Sequence, residues 1–285
     1  MKPPRHRLDF DEAQVYEYPV HLRQTINDLP QCPGVYFFHG DGELPLYIGK
    51  SVNIRHRVLS HLRNPDEVRL LRQTRFITHI PTAGEIGALL LEAQLIKERQ
   101  PLMNQRLRRN RQLCAFQLKG ELPAIVSTHE VNFATEPNLF GLYRSKRSAL
   151  EALMALADEH RLCLGVLGVE RQTPSKPCFR SMVNKCAGAC VGNEPIAAHN
   201  ERLHKAFDQM RLACWPFPGA IALVEQSHDM QDFLVVRNWC YLGKAANIES
   251  AQKLDQVAAG FDADGYKILC GPIFSGTANI IPLAS

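Results

Sequence analysis

Residues 34–49 read GVYFFHGDGELPLYIG. The aromatic and β-branched run at its start predicts a strand, HGDGELP a turn, and LYIG a second strand. Downstream, Ile54, Val58 and Leu62 recur every four residues. That spacing predicts an amphipathic helix, with Ser51 as its cap and Asn64-Pro65 as its end. RFITHIPT at 75–82 predicts a third strand, and 85–99 a helix that Pro101 terminates. Strand, strand, helix, strand, helix is the order of a small α+β layer: a short sheet flanked by helices.

Working outward, residues 1–28 form a polar leader with a short helix expected at 20–29, and 29–111 form the layer just described. Residues 112–195 make a connecting, cysteine-containing region. In it, 113–128 has strand character, and 147–161 a helical face of Leu150, Leu153, Met154 and Ala157. Residues 196–285 form a small mixed C-terminal region. One helix is expected there at 197–212, followed by strand runs AIALV at 220–224 and FLVVRNWCYL at 233–242.

The chain has 285 residues, 45% hydrophobic and 22% charged, with 18 Gly and 18 Pro. This is globular composition with enough length for more than one core, and it excludes a disordered or fibrous protein. The longest apolar stretches, 86–96 and 163–169, are shorter than the ~20 residues of a membrane crossing. The opening MKPPRHRLDFDEAQVYEY lacks the apolar centre of a secretory signal. A cytoplasmic protein with no membrane partner is expected, its nine cysteines reduced, in the core or bound to metal. The formal charge is only +4, yet residues 50–111 hold thirteen Lys or Arg against Asp66, Glu67, Glu85, Glu92 and Glu98. Such a concentration of positive charge suits a surface that meets a polyanion, nucleic acid first, and is also compatible with a merely solvated face.

Within the apolar run 86–96, Glu92 is the only charged residue. A carboxylate on a buried helix costs several kcal/mol if left alone, so it calls for a cation, an arginine or a metal ion. Cys163, Cys178, Cys186 and Cys190 follow C-x14-C-x7-C-x3-C. Four clustered thiols in a reducing compartment suit zinc, an iron–sulfur cluster or an apolar core. Cys32, Cys114, Cys214, Cys240 and Cys270 lack ligand spacing and are expected in the core.

GVY ending at Tyr36 and YIG beginning at Tyr47, followed by Lys50, NIRHR, LLLEAQLIK and PLMNQRL, resembles the GIY-YIG nucleases, and most closely the N-terminal nuclease domain of UvrC. NLFGLYRSKRSALEAL and CFRSMVNKCAGAC resemble later UvrC segments. The resemblance implies an endonuclease that hydrolyses a phosphodiester on the 3′ side of a lesion during nucleotide excision repair. Its partners would be damaged double-stranded DNA and UvrB loaded by UvrA. It implies Mg²⁺ or Mn²⁺ on Glu92, and Tyr47 or Tyr36 as general base. Lys50 and Arg57 would lower the phenol pKa, with Arg57 also gripping the phosphate, and Asn104 would hold the site in shape. His61 stands where UvrC usually has another tyrosine, so it is either an imidazole acting in its place or a surface histidine. Arg106, Arg108, Arg109 and Arg111 would track DNA phosphates. The resemblance also implies a [4Fe–4S] cluster on the four cysteines, with Zn²⁺ as the alternative. A stand-alone nuclease for branched DNA and a non-catalytic DNA-binding adaptor are the rival readings.

Overall fold

The computed structural model describes residues 19–104, 113–171, 176–227, 229–254 and 260–283. Within them, the first unit comprises α1 (Arg23–Asn27), β1 (Gly34–His39), β2 (Pro45–Ser51), α2 (Ile54–Leu62), α3 (Val68–Gln73), β3 (Phe76–Pro81) and α4 (Glu85–Arg99). The expected helix at 20–29 is a 3-10 turn at Val20–Leu22 running into α1. Helix α3 was not expected; its six residues are too few to show a period.

The sheet is antiparallel in the order β2-β1-β3. Gly49 pairs with Tyr36 and Tyr47 with Phe38. Side chains two apart share a face, so the register puts Tyr36, Phe38 and Tyr47 on one side. There they pack with Ile54, Val58 and Leu62 of α2 and Leu70 and Leu71 of α3. Val35, Phe37 and Ile48 face the other way, against Leu91, Leu95 and Ile96 of α4. Both motif glycines answer to close approach rather than flexibility. A Cβ at Gly49 would overlap the Tyr36 phenol, and one at Gly34 would overlap the Ile80 carbonyl. The cap of α2 is Asn53, whose Oδ1 accepts the His56 N–H at 2.9 Å. The expected cap, Ser51, still belongs to β2, and its hydroxyl bonds Asn53 instead.

The second unit has β4 (Cys114–Lys119), β5 (Leu122–Ser127), β6 (Leu139–Tyr143), α5 (Lys146–Glu159), α6 (Phe179–Met182) and α7 (Ile196–Asp208). Its sheet runs β5-β4-β6, covered by α5 and α7 through Phe116, Phe140, Leu153, Leu203 and Phe207. Thus α7 begins at the boundary drawn at 195/196 and packs back onto the unit before it. The third unit has β7 (Ile221–Gln226), β8 (Gln231–Arg237), β9 (Cys240–Ala245), α8 (Ile248–Gln252), α9 (Ala263–Phe274) and β10 (Asn279–Pro282), with sheet order β10-β7-β8-β9. FLVVRNWCYL is two strands joined by a turn in which Asn238 and Trp239 have positive φ. Helices α8 and α9 went unread; α9 holds Gly265, Gly271 and Pro272, which sequence reasoning treats as helix breakers. Leu90 of α4 lies in the core of this third unit, with Trp215, Leu234, Trp239 and Leu269. Among the described residues no helix is long and apolar enough to cross a membrane.

Candidate active site

An edge strand presents unpaired backbone groups that must find partners. The free edge of β2 finds them in the backbone of Leu102 and Met103, which donate to the Pro45 and Leu46 carbonyls, and then in side chains. The Ile48 N–H donates to Asn104 Oδ1 at 2.9 Å, and Asn104 Nδ2 returns a bond to the Ile48 carbonyl at 2.8 Å. Two residues on, the Lys50 N–H donates to Glu92 Oε1 at 3.0 Å. This edge is where the two faces of the sheet meet. Glu92, on the helix behind the sheet, therefore reaches the tyrosines in front of it.

Burial holds the Glu92 carboxyl above the usual carboxylate range, against the opposing pull of the Lys50 N–H and charge. The arginine offered as its partner is not there: among the described residues no side-chain cation pairs with Glu92. The Lys50 ammonium instead holds Glu85 Oε1 at 2.7 Å. Glu92 Oε2 accepts no bond from the described residues, and a half-buried carboxylate oxygen left open suits a hard divalent cation that completes its shell with water and phosphate.

Tyr36 is fully buried and Tyr47 partly so, with ring centroids 6.3 Å apart. The Arg57 guanidinium lies near the Tyr36 hydroxyl, where its charge favours the ionised phenol. The cations were expected to lower the phenol pKa, and the structure corrects this. Burial raises both phenols, the negative charge of Glu92 adds to the rise, and Arg57 opposes it without prevailing. Lys50 is drawn off to Glu85.

His61 is 3% exposed, so the surface alternative is removed. Its Nε2 lies 2.7 Å from the Tyr36 hydroxyl and its Nδ1 2.5 Å from Glu67 Oε2. An ionised carboxylate only accepts, so Nδ1 carries the proton and, in the neutral ring, Nε2 accepts from Tyr36. The His61 contact and the Arg57 charge hold Glu67 below the usual carboxylate range, although burial alone would raise it. Glu67 was missed in the sequence. The signal was present: His61 falls on the apolar side of α2 with Val58 and Leu62, and a buried imidazole needs a partner at each nitrogen. Arg106, Arg108, Arg109 and Arg111 lie outside the described residues.

In the second unit the sulfurs of Cys163, Cys178, Cys186 and Cys190 all lie within 4.8 Å of one another. Burial and these neighbours push the Cys178 thiol up to about 12. Four thiolates this close repel unless a cation sits among them, so the donor set fits a thiophilic metal. The span suits a single tetrahedral ion with metal–sulfur bonds of ~2.3 Å. A [4Fe–4S] cluster places each thiolate on a separate iron and needs the sulfurs to spread. Of the other cysteines Cys114 is buried, while Cys32, Cys214, Cys240 and Cys270 are partly exposed.

Residues 32–105 match the UvrC-like GIY-YIG domain, 113–209 the middle domain of the UvrC/Cho excinucleases, and 220–285 the excinuclease Cho C-terminal domain. Excinuclease Cho of Escherichia coli strain K12 is 55% identical over 278 residues, covering 97% of this chain and 94% of that protein. The UvrABC system protein C of Caldicellulosiruptor saccharolyticus is 31% identical over 196 residues, covering 65% of this chain and 32% of that protein. Among solved structures, the GIY-YIG domain of Thermotoga maritima UvrC, bound to magnesium as its catalytic divalent cation, is 34% identical. It covers 29% of this chain and 93% of that one, with a TM-score of 0.27. With identity running through all three units, the chain belongs to the excinuclease Cho family, the UvrC-related GIY-YIG endonucleases of excision repair.

Proposed function

We propose that the protein incises one strand of damaged double-stranded DNA on the 3′ side of the lesion, with Mg²⁺ or Mn²⁺ on Glu92, after recruitment by UvrB that UvrA has loaded. The observation that carries the reading is the convergence of Tyr36, Tyr47, Arg57, His61 and Glu92 at one end of the first sheet.

The buried and exposed tyrosines divide the work. Tyr47, the more exposed, faces the attacking water and, once it has lost its own proton to solvent, takes the water's proton as the phenolate. Tyr36 stands behind it, its hydroxyl donating to His61 Nε2 while Glu67 holds the ring by Nδ1. A phenol raised by burial stays protonated and cannot accept a proton, so the site needs a way to lower its pKa. Glu92 would hold a divalent ion, which when bound would offset the carboxylate charge that raises both phenols and supply Lewis-acid chemistry for the scissile phosphate. Arg57 forks onto the phosphate as charge builds there. Lys50, anchored on Glu85, keeps a positive charge beside the carboxylate, and Asn104 fixes the β2 edge from which the Glu92 bond hangs. Arg106, Arg108, Arg109 and Arg111 add phosphate contacts that weaken with salt. Nothing in this set reads a lesion, which is why specificity is assigned to the UvrB complex. The four cysteines are read as a metal centre, zinc or [4Fe–4S], that holds the second unit together.

A plasmid with one defined lesion tests the reading. Nicking 3′ to the lesion that requires UvrA, UvrB and Mg²⁺ supports it. Cutting of a bare junction without them refutes it in favour of a stand-alone branched-DNA nuclease.

A further inference from the structure

Helix α4, which carries Glu92, starts without a cap of its own. Its N-cap is Gly84, which has no side chain to accept from the first free N–H groups. They are served from the third unit. Glu225 on β7, some 140 residues away in the chain, accepts the Ile86 N–H on Oε1 at 2.9 Å and the Gly87 N–H on Oε2 at 2.7 Å. Asp232 on the neighbouring β8, almost fully buried, accepts the Ala83 N–H at 2.8 Å and pairs with Lys244 at 3.1 Å. Toward the other end of α4, Lys97 binds Asp262 at 2.7 Å and Asp264 at 3.1 Å. Between these ends Leu90 is sunk in the third unit's core. The glycine at 84 follows from this arrangement, since any Cβ there would overlap the Glu225 carboxylate.

We infer that the C-terminal sheet is a positioning clamp for the catalytic helix, and that Glu225 is the N-cap of α4 delivered from a separate unit. The reasoning runs along the helix. Glu92 lies two turns beyond the capped end, and its carboxylate must meet the Lys50 N–H while staying near the phenols. A frayed first turn would release Glu85, and with it the anchor of Lys50, and would let the helix rotate under Glu92. The Glu225 carboxylate bonds the first N–H groups of α4 and neither phenol, so it acts through α4. The inference rests on Glu92 serving the incision proposed above.

The full-length chain provides the test. In Glu225→Ala, hydrogen exchange at the Ile86 and Gly87 amides should speed up about tenfold, the scale of a lost helix cap. The kcat for incision of lesion DNA carrying UvrB should fall by about the same factor with KM unchanged. Gly84→Ser alone should also lower kcat, because its side chain and Glu225 need the same space. Combining Gly84→Ser with Glu225→Ala should recover most of the loss, because the serine then caps the same two N–H groups in cis. Unchanged exchange in Glu225→Ala, or a double variant no better than Glu225→Ala, overturns the inference. If the wild type makes no cut on this substrate while exchange responds as stated, the cap stands and the incision reading falls.

Discussion

His61 shows how one substitution can pull in another residue. A tyrosine at this position needs one hydrogen-bond partner, whereas a buried imidazole needs two, and Glu67 supplies the second. Free imidazole favours the proton on Nε2, so the carboxylate imposes the opposite tautomer. Nitrogen-15 spectra of the wild type should show a proton on Nδ1, and Glu67→Ala should shift the ring toward the Nε2 tautomer. Incision should then fall roughly 10²-fold, the usual scale for a displaced general acid–base group. A wild-type ring protonated at Nε2 alone contradicts the assignment. At Glu92 the expectation is sharper: Glu92→Ala abolishes incision and leaves DNA binding nearly unchanged. Mg²⁺ should raise the melting temperature of the wild type and not that of this variant. Normal cutting by Glu92→Ala would remove the metal assignment.

At the scale of elements, the site depends on the exposed edge of β2 and on α4 behind it. Asn104→Ala removes both bonds to Ile48 and should cost about 1–3 kcal/mol in denaturant melts. A smaller loss would mean that water replaces the amide. The pH dependence of α4 has a definite sign. Burial raises the Glu92 pKa in the folded state, so the fold binds that proton more tightly than the unfolded chain does. Stability from this group is full below the ordinary carboxylate value and is lost as pH rises through the raised one. Glu92→Gln should therefore be more stable than the wild type near neutral pH in metal-free buffer, the difference vanishing in acid, and inactive throughout. Equal stability at neutral pH would show that the carboxylate is not held at a cost. This is stability given up for function at one residue.

For the whole molecule, the first and third sheets are joined through α4, the second unit meets the third through Phe133, Phe261 and Tyr266, and the thiol cluster lies inside the second unit. Anaerobic full-length protein should carry bound metal, coloured if iron–sulfur and colourless if zinc. Cys186→Ser should lose that metal and melt at lower temperature, because Cys186 is buried with Cys163 and Ala189. Protein without either metal would return the cysteines to an ordinary core. The three-sheet frame was only partly readable. The hairpin at 34–51 and the helix at 85–99 were clear, because local periodicity and turn chemistry specify them. Helix α9 was hidden, because its glycines and Pro272 are tolerated only where Leu269 and Ile273 are buried against the third sheet.

By itself the sequence determined the nuclease layer, since local periodicity and turn chemistry specify it, and singled out Glu92 and the four clustered cysteines, while its resemblance to the GIY-YIG nucleases pointed to the two tyrosines, Arg57 and Asn104. Only the tertiary structure decided what each of them touches. It turned Lys50 to Glu85, gave His61 its Glu67, placed no arginine of the described residues on Glu92 and brought Glu225 to the start of α4. Contacts between residues far apart in the chain arise from packing, and packing leaves no period to read.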